Sequence, residues 1–512
     1  MKNDVNVKIQ AKILFWIDVS LIQFGIAKKL QKKIDADFYV IYDLNHHLKK
    51  SFIQQKMINF KKEWYFWDDV KGIKEPDVEY LKQIEKKYKI NLWEIAYAER
   101  NFYKYNAFYR FSRKEILSIL EQECRLFEKV IDEVNPNYLI IKTTDFHRNY
   151  LLTEMCRIRN VKILMLTTSR LANKASIVAQ SDKIDYELDK KTEDKIKNDS
   201  FEELREYFKK RSKSQQKNKI HSAGMNYPQY KKILPGVKWL TGTVDKKFGE
   251  SYDHYGVTRR KAISHYFSYS IKGKMRKKFI DKELCKKIEL NKKFIFFPLQ
   301  VQPERNVDID APFYANQIEV VTNIAKALPA DCKLFVKEHP LMRYRHWREI
   351  TEYEEMISLP NVEVIHPEVS AKEILENCLA VITIAGSGGL EAALHKKPAI
   401  VFADTIYASL PSVYRLKNLE ELPNLIREAL DTEVKLTDIN KFINILERNS
   451  FDFDITGHYT KILEKFHSGG FMISNQISMK ELEEFIEEDK KVYELLADEH
   501  LKKIEQYANF KN

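Results

Sequence analysis

Cysteine is scarce. There are five in 512 residues, an odd number with no Cys-x-x-Cys pair, which supplies neither a disulfide framework nor a zinc ribbon and fits a reducing compartment. Long apolar runs are missing too. None approaches the roughly 18 residues that a membrane-spanning helix needs, and the run Ile13 to Ile22 near the start is short and carries Asp18, a poor secretory signal. The expectation is a cytoplasmic protein, soluble or peripheral at the inner membrane face. There is no tandem repeat, no dinucleotide-type glycine spacing and no phosphate loop ending in Lys and Ser or Thr. Nor does an evident Asp-x-Asp motif stand where a predicted strand ends, so no metal is expected. What is present is a globular composition, 44% hydrophobic and 31% charged, which excludes a disordered or collagen-like chain. The length allows about two to four domains.

Charge is unevenly spread. Between Lys209 and Lys293 there are 24 Lys and Arg against 6 Asp and Glu, a balance of +18, so the rest of a chain that totals +12 sums to −6. A local basic segment suits an anionic lipid surface, nucleic acid or a polyanionic substrate, and a solvated helical face is the plain alternative. Tyr227, Tyr230, Trp239, Tyr252, Tyr255, Tyr266, Phe267 and Tyr269 lie among the charges and favour a binding surface. No nucleic-acid-binding motif accompanies them, so nucleic acid is not the expected partner.

Periodicity organises the chain. Lys12 to Val19 is a compact apolar run, Leu21 to Ile34 repeats apolar residues at helical spacing, and Asp37 to Tyr42 is apolar again, which predicts strand, helix, strand. Cys124 to Val134, Tyr138 to Ile141, Arg148 to Arg159 and Lys162 to Leu166 predict helix, strand, helix, strand. Between these units Ser51 to Arg113 reads as helices and loops. From Glu187 the pattern becomes a charged helix and then a Lys- and Tyr-rich stretch. Alternation resumes with strands at Phe294 to Phe297, Lys333 to Lys337, Glu363 to Ile365, Ala380 to Ile384 and Ala399 to Phe402, with helices between. Met479 to Asn512 reads as one long amphipathic helix. Such alternation implies parallel sheets covered by helices. The expected fold is α/β, with doubly wound Rossmann-like domains at 1–186 and 291–465 facing a cleft. A basic insertion or bridging region at 187–290 and a C-terminal helix at 466–512 complete it. Ligands of such sheets sit at the carboxyl ends of the strands.

The sharpest motif is Thr383-Ile384-Ala385-Gly386-Ser387-Gly388-Gly389-Leu390-Glu391-Ala392. A buried strand runs into a turn of small residues and then a helix, which leaves the first helical N–H groups beside residues too small to block a ligand. Gly386, Ser387, Gly388 and Gly389 are expected to hold a phosphate and Glu391 the hydroxyls of a ribose; an ordinary tight turn is the alternative. Phe335-Val336-Lys337-Glu338-His339-Pro340 ends a strand in ionisable residues, the proline pressing His339 toward an extended conformation. Lys337 and His339 there would neutralise a departing phosphate. Pro298-Leu299-Gln300-Val301-Gln302-Pro303-Glu304-Arg305 follows another strand and offers Gln300 for the donor and Glu304 as a candidate catalytic residue; a solvated connection is the alternative. In the N-terminal half Asp18, Thr143, Thr144, Asp145, His147, Ser169 and Arg170 follow strands. A general base toward an acceptor hydroxyl would be Asp18, Asp145 or His147, with a helix-capping role the alternative for Asp18.

Together these loops resemble the C-terminal half of the capsule and surface-polysaccharide biosynthesis glycosyltransferases, the family that includes the Kdo-transferring capsule enzymes. The likeness runs from about Phe294 to Val413, through the three motifs above and the strand Lys397 to Phe402 with Tyr407 after it. It implies a GT-B architecture in which the C-terminal domain binds most of the activated sugar and the N-terminal one faces the acceptor. Related bacterial sialyl- and Kdo-transferases use a His-Pro motif and a Ser-containing loop on the phosphate of a CMP-sugar, and His339-Pro340 and Ser387 are the matching positions. Their acidic general-base motif is not recognisable in the N-terminal half. The resemblance thus implies a metal-independent glycosyltransferase moving a sugar from a nucleotide-sugar donor to a surface glycan or lipid-linked acceptor, with no cofactor. A nucleotide-sugar 2-epimerase of similar fold and an inactive assembly subunit docked to an anionic membrane through Lys209 to Lys293 are the competing readings.

Overall fold

The computed structural model describes residues 7–171, 173–183, 199–208, 251–289, 291–467 and 477–509, so the stretch 209–250 of the basic segment lies outside the described residues. The chain divides into two compact units. The first takes Met1–Lys190, Lys210–Val257 and Asn449–Asn512, and the second Lys191–Lys209 and Thr258–Arg448.

In the first unit the strands are β1 (Val7–Asp18), β2 (Ile34–Asp43), β3 (Phe60–Tyr65), β4 (Tyr138–Lys142), β5 (Lys162–Thr168) and β6 (Lys174–Val178). They lie in the order β3-β2-β1-β4-β5-β6, parallel up to β5 and antiparallel at β6. Along β1, Ile13, Phe15 and Ile17 enter one core and Leu14 and Trp16 the other. With both faces covered, each parallel strand reads as a near-continuous apolar run. The helix Arg113–Val134 covers one face, fixed at its start by a capping box between Ser112 and Glu115. β3 falls in the stretch whose sequence reads as helices and loops. It is the edge strand, where the exposed Lys61 and Lys62 are tolerated and blunt the pairing edge.

In the second unit the strands are β7 (Phe294–Pro298), β8 (Lys333–Lys337), β9 (Val362–Ile365), β10 (Val381–Thr383), β11 (Ala399–Val401) and β12 (Val413–Arg415). All are parallel, in the order β9-β8-β7-β10-β11-β12. Counted within the unit this is 3-2-1-4-5-6, the doubly wound order, whose strand direction of progress reverses between β7 and β10. Both sheets are thus Rossmann-like, as the alternation of the sequence predicts.

After Arg448 the chain returns to the first unit. β13 (Phe451–Asp452) pairs antiparallel with β6. In place of one long helix there are two, Met479–Glu488 and Lys490–Asn509. Tyr493, Leu496, Ala497 and Ile504 are fully buried in the core that holds Ile13 and Phe15. A Cβ at Gly25 would fall 2.0 Å from the Tyr493 ring, so the helix Ile22–Leu30 makes this approach through its glycine. Lys28 and Lys29 reach Glu483 and Glu487, each at 2.7 Å. The boundary expected near 465 therefore lies inside a segment that packs with the first unit from Asn449 onward.

Candidate active site

Three loops at the carboxyl edge of the second sheet form one hydrogen-bonded body. Oriented by its partners, the Gln300 amide oxygen accepts from the N–H groups of Gly386 (2.8 Å) and Ala385 (3.0 Å) and from Thr383 Oγ1 (3.2 Å). The loop after β7 thereby grips the turn after β10 across the reversal point. Gln317 holds the backbone of Gln300, accepting from its N–H at 2.7 Å and donating to its carbonyl at 3.0 Å. Arg348 joins the loop after β8. Its guanidinium donates to the Gln300 carbonyl (2.6 Å), Gln302 Oε1 (3.2 Å) and Glu338 Oε2 (2.9 Å). Glu338 is fully buried and also accepts from the Tyr353 hydroxyl at 2.7 Å. A carboxylate so enclosed is tolerable only when paired and hydrogen-bonded. Spacing in the sequence does not mark Gln317, Arg348 or Tyr353, which arrive from later segments.

Ser387 and Glu391 are exposed at the turn, with Ser387 Oγ donating to Glu391 Oε1 at 2.7 Å. The small residues have packing reasons of their own. A Cβ at Gly389 would meet the Tyr407 ring at 2.5 Å, and one at Gly388 would meet Pro298 at 3.2 Å. The Tyr407 hydroxyl donates to the Gly386 carbonyl.

His339 is half-buried and begins the 3-10 turn Pro340–Arg345, its Nδ1 accepting from the Leu341 N–H at 3.1 Å. The neutral ring therefore carries its proton on Nε2. Lys337 is buried and its ammonium donates to the Pro367 carbonyl at 2.9 Å, while burial lowers its pKa to about 8. Its charge is thus engaged with backbone. Glu304 is half-buried and precedes the short helix Arg305–Asp308.

The first sheet has its own reversal point between β1 and β4, and Asp18 and Lys142 end those strands 3.0 Å apart. Lys142 also reaches Asp145 at 3.4 Å. Ser20 donates to Asp18 through its N–H (2.9 Å) and hydroxyl (2.6 Å). Burial would raise the pKa of Asp18, yet the Lys142 ammonium and the Ser20 donors hold it below the ordinary value. Asp18 is therefore an ionised carboxylate.

His147 is different. Its ring is enclosed between Glu99 (2.5 Å) and Glu123 (2.9 Å). Burial would lower its pKa, but the two carboxylates raise it to about 9. An enclosed imidazolium has no lone pair with which to take a proton, which corrects the expectation of His147 as a base. Arg148 beside it donates to Asp43 at 2.8 Å, and the Tyr252 hydroxyl donates to Glu123 at 3.1 Å.

The described part of the basic segment is dominated by the helix Arg259–Glu283. Its inner stripe is Tyr269, Gly273, Arg276 and Ile280; the Tyr269 hydroxyl donates to the Arg345 carbonyl at 2.7 Å and Arg276 to the His346 carbonyl at 3.1 Å. The opposite stripe is Ile263, Phe267, Ile271 and Met275, spaced by four and 42%, 61%, 60% and 59% exposed. Arg260, Lys274 and Lys278 are exposed along it. No described helix is long and apolar enough to cross a membrane. Among the described residues no group of three His, Cys, Asp or Glu is placed to hold a metal ion.

Known proteins resemble parts of this chain. Residues 242–421 match the family model described as "Capsule polysaccharide biosynthesis protein". The capsule polysaccharide modification protein LipB of Neisseria meningitidis, from a serogroup A and a serogroup B strain, is 27% identical over 184 residues, 34% of this chain and 44% of LipB. The chain thus matches less than half the length of these curated relatives. Among solved structures, Thermosulfurimonas dismutans KpsC, a beta Kdo 2,7 transferase, is 12% identical with a TM-score of 0.28, covering 70% of this chain and 98% of that one. The UDP-GlcNAc 2-epimerase of Methanocaldococcus jannaschii is 12% identical with a TM-score of 0.24, covering 85% and 99%. Neither likeness carries an argument about activity at such values. The family match contains β7 to β12 and all three loops. Over residues 242–421 the chain is thus similar to the capsule polysaccharide biosynthesis family.

Proposed function

We propose that the protein is a glycosyltransferase that moves a sugar from a nucleotide-sugar donor to a glycan or lipid-linked acceptor of a surface polysaccharide. One observation carries this reading. The loops after β7, β8 and β10 are tied into a single body at the reversal point of a doubly wound sheet, where such sheets bind their ligands. The N–H groups at the start of the helix Gly388–Leu394 have no intrahelical partner, and with the Ser387 hydroxyl they receive the donor phosphate, while Glu391 accepts from ribose. His339, with its proton on Nε2, donates to the phosphate as it departs, an interaction that strengthens as charge grows in the transition state. Gln300 acts by positioning, since its amide oxygen is occupied by the turn. On the acceptor side Asp18 is the leading base and Asp145 is the alternative. The donor is a substrate, a CMP-sugar by the resemblance, and the reading calls on no cofactor and no metal.

The outer stripe of the helix Arg259–Glu283 supports peripheral attachment to an anionic membrane surface. Ile263, Phe267, Ile271 and Met275 enter the acyl boundary while Arg260, Lys274 and Lys278 meet the headgroups. Lipid-linked acceptors lie at such a surface.

Incubation with a panel of nucleotide sugars, with and without acceptor, tests the reading by measuring free CMP or UDP. Acceptor-stimulated release is the expected result. An epimerised sugar without net release would identify an epimerase instead, and no turnover with any pair would leave an assembly subunit.

A further inference from the structure

The first unit holds a cavity of about 500 Å³ that no step of the proposed reaction uses. Its wall comes from the helix Leu92–Tyr97, the loop that follows and the start of the helix Arg113–Val134. Trp93, Tyr97, Tyr103 and Tyr109 line it, with Arg110 and Arg113 at its rim, and no Asp or Glu is among its described lining residues. Arg110 and Arg113 are exposed and make no ion pair among the described residues. The floor is Phe102 and Phe111, both buried. Phe102 lies 4.9 Å from the His147 ring, so the enclosed ion cluster fixes the floor in place.

We propose that this cavity binds a sugar unit bearing a carboxylate. A pyranose presents patches of C–H to aromatic faces and hydroxyls between them, and aromatic side chains with a polar handle suit that mixture. The rings are set at steep angles, 70° between Tyr97 and Tyr103 and 63° between Phe102 and Phe111. These pairs wrap a three-dimensional ligand and form no parallel slot for a flat base. The helix start beside the cavity is already closed by Ser112 and Glu115, the Glu115 carboxylate accepting from the Ser112 N–H at 2.7 Å. Recognition of an anion therefore falls to the cations of the lining, Lys104 and the two guanidinium forks, of which the forks match a carboxylate in shape. The inference deepens the transferase reading, on which it rests for its biological role, because it names the chemistry of an acceptor unit.

The test uses the full chain and methyl glucuronide, with methyl glucoside as the neutral twin and CMP as competitor, followed by saturation-transfer NMR and calorimetry. The glucuronide is expected to bind about tenfold more tightly than the glucoside at low salt. Arg110→Gln with Arg113→Gln should abolish that preference and leave the glucoside signal, and Tyr97→Ala with Tyr103→Ala should weaken both sugars. These side chains are exposed, and an unchanged thermal midpoint verifies folding. Equal binding of the two sugars, a preference that survives in the double arginine variant, displacement of the glucuronide by CMP, or no binding of either sugar would each overturn the assignment. CMP affinity of the same variants separates the two readings. A glucuronide preference without any CMP binding would leave the cavity standing and remove the nucleotide-sugar site.

Discussion

Arg348 Nε meets Glu338 Oε2 at 2.9 Å in a wholly buried pair, and the same guanidinium holds the Gln300 carbonyl at 2.6 Å. Two motif loops thus share one side chain. Arg348→Leu would leave the buried Glu338 carboxylate without a counter-charge, at an expected cost of about 3 to 5 kcal/mol in urea unfolding. Arg348→Lys keeps the charge without the fork; it should fold and lose nucleotide affinity as the turn loosens. Wild-type nucleotide affinity in a folded Arg348→Lys protein would reduce the pair to a structural one.

Gly389 faces the Tyr407 ring at 2.5 Å from where a Cβ would stand. Gly389→Ala is expected to lower stability by about 1 to 3 kcal/mol through overpacking, measured by thermal melting. Combining it with Tyr407→Leu should recover part of the loss, because contacting residues are not additive.

At the turn, Ser387→Ala should weaken donor binding by about 1 to 3 kcal/mol if it removes a charge-assisted hydrogen bond, and Glu391→Gln should affect ribose recognition. Calorimetry with CMP and with cytidine separates the two. His339→Ala should lower turnover more than it lowers donor affinity, since its interaction grows in the transition state. Unaltered turnover in that variant would make His339 a turn-forming residue and nothing more.

The pKa of His147 is raised from 6.5 to about 9 in the folded chain. The folded state keeps the proton that the unfolded state releases, so the stabilisation is complete below pH 6.5 and is lost as the pH rises through about 9. Thermal midpoints of the wild type should therefore fall over that interval more steeply than those of His147→Gln. Equal slopes would mean that the ring is not charged between Glu99 and Glu123.

Phe267→Ser with Ile271→Ser should reduce co-sedimentation with anionic vesicles at every salt concentration. Lys274→Gln with Lys278→Gln should reduce it by about 1 kcal/mol for each charge at low salt and lose its effect at high salt. Equal pelleting of all three proteins would leave the stripe without a lipid role.

The strands β1, β2, β4 and β5 and five of the six strands of the second sheet are legible as compact apolar runs because both of their faces are covered. β3 is not, since Lys61 and Lys62 at an edge look like a loop, and neither is β12, an edge strand whose Tyr414 and Arg415 are only half-buried. The break between the last two helices is invisible to a pattern that stays amphipathic through Asp489. In the site, the strand-to-turn character of the Gly386 loop and the His339 loop is written locally, whereas Glu338 looks like one more exposed ionisable residue. Its burial depends on Arg348 and Tyr353, ten or more positions away, and no periodicity reports such a meeting. The same blindness applies to His147, whose carboxylate partners lie 48 and 24 residues upstream.

The return of the chain after Arg448 bears on how the protein is made. Tyr493, Leu496, Ala497 and Ile504 complete the core begun by Ile13 and Phe15. During translation, N-terminal domains ordinarily fold first. Here the ribosome has released the whole of the second unit before the first can be closed. The nascent first sheet must wait with part of one apolar face uncovered beside the helix Ile22–Leu30, a natural client for a holding chaperone. A message truncated after codon 448 would then yield an intact second sheet joined to an aggregation-prone first one.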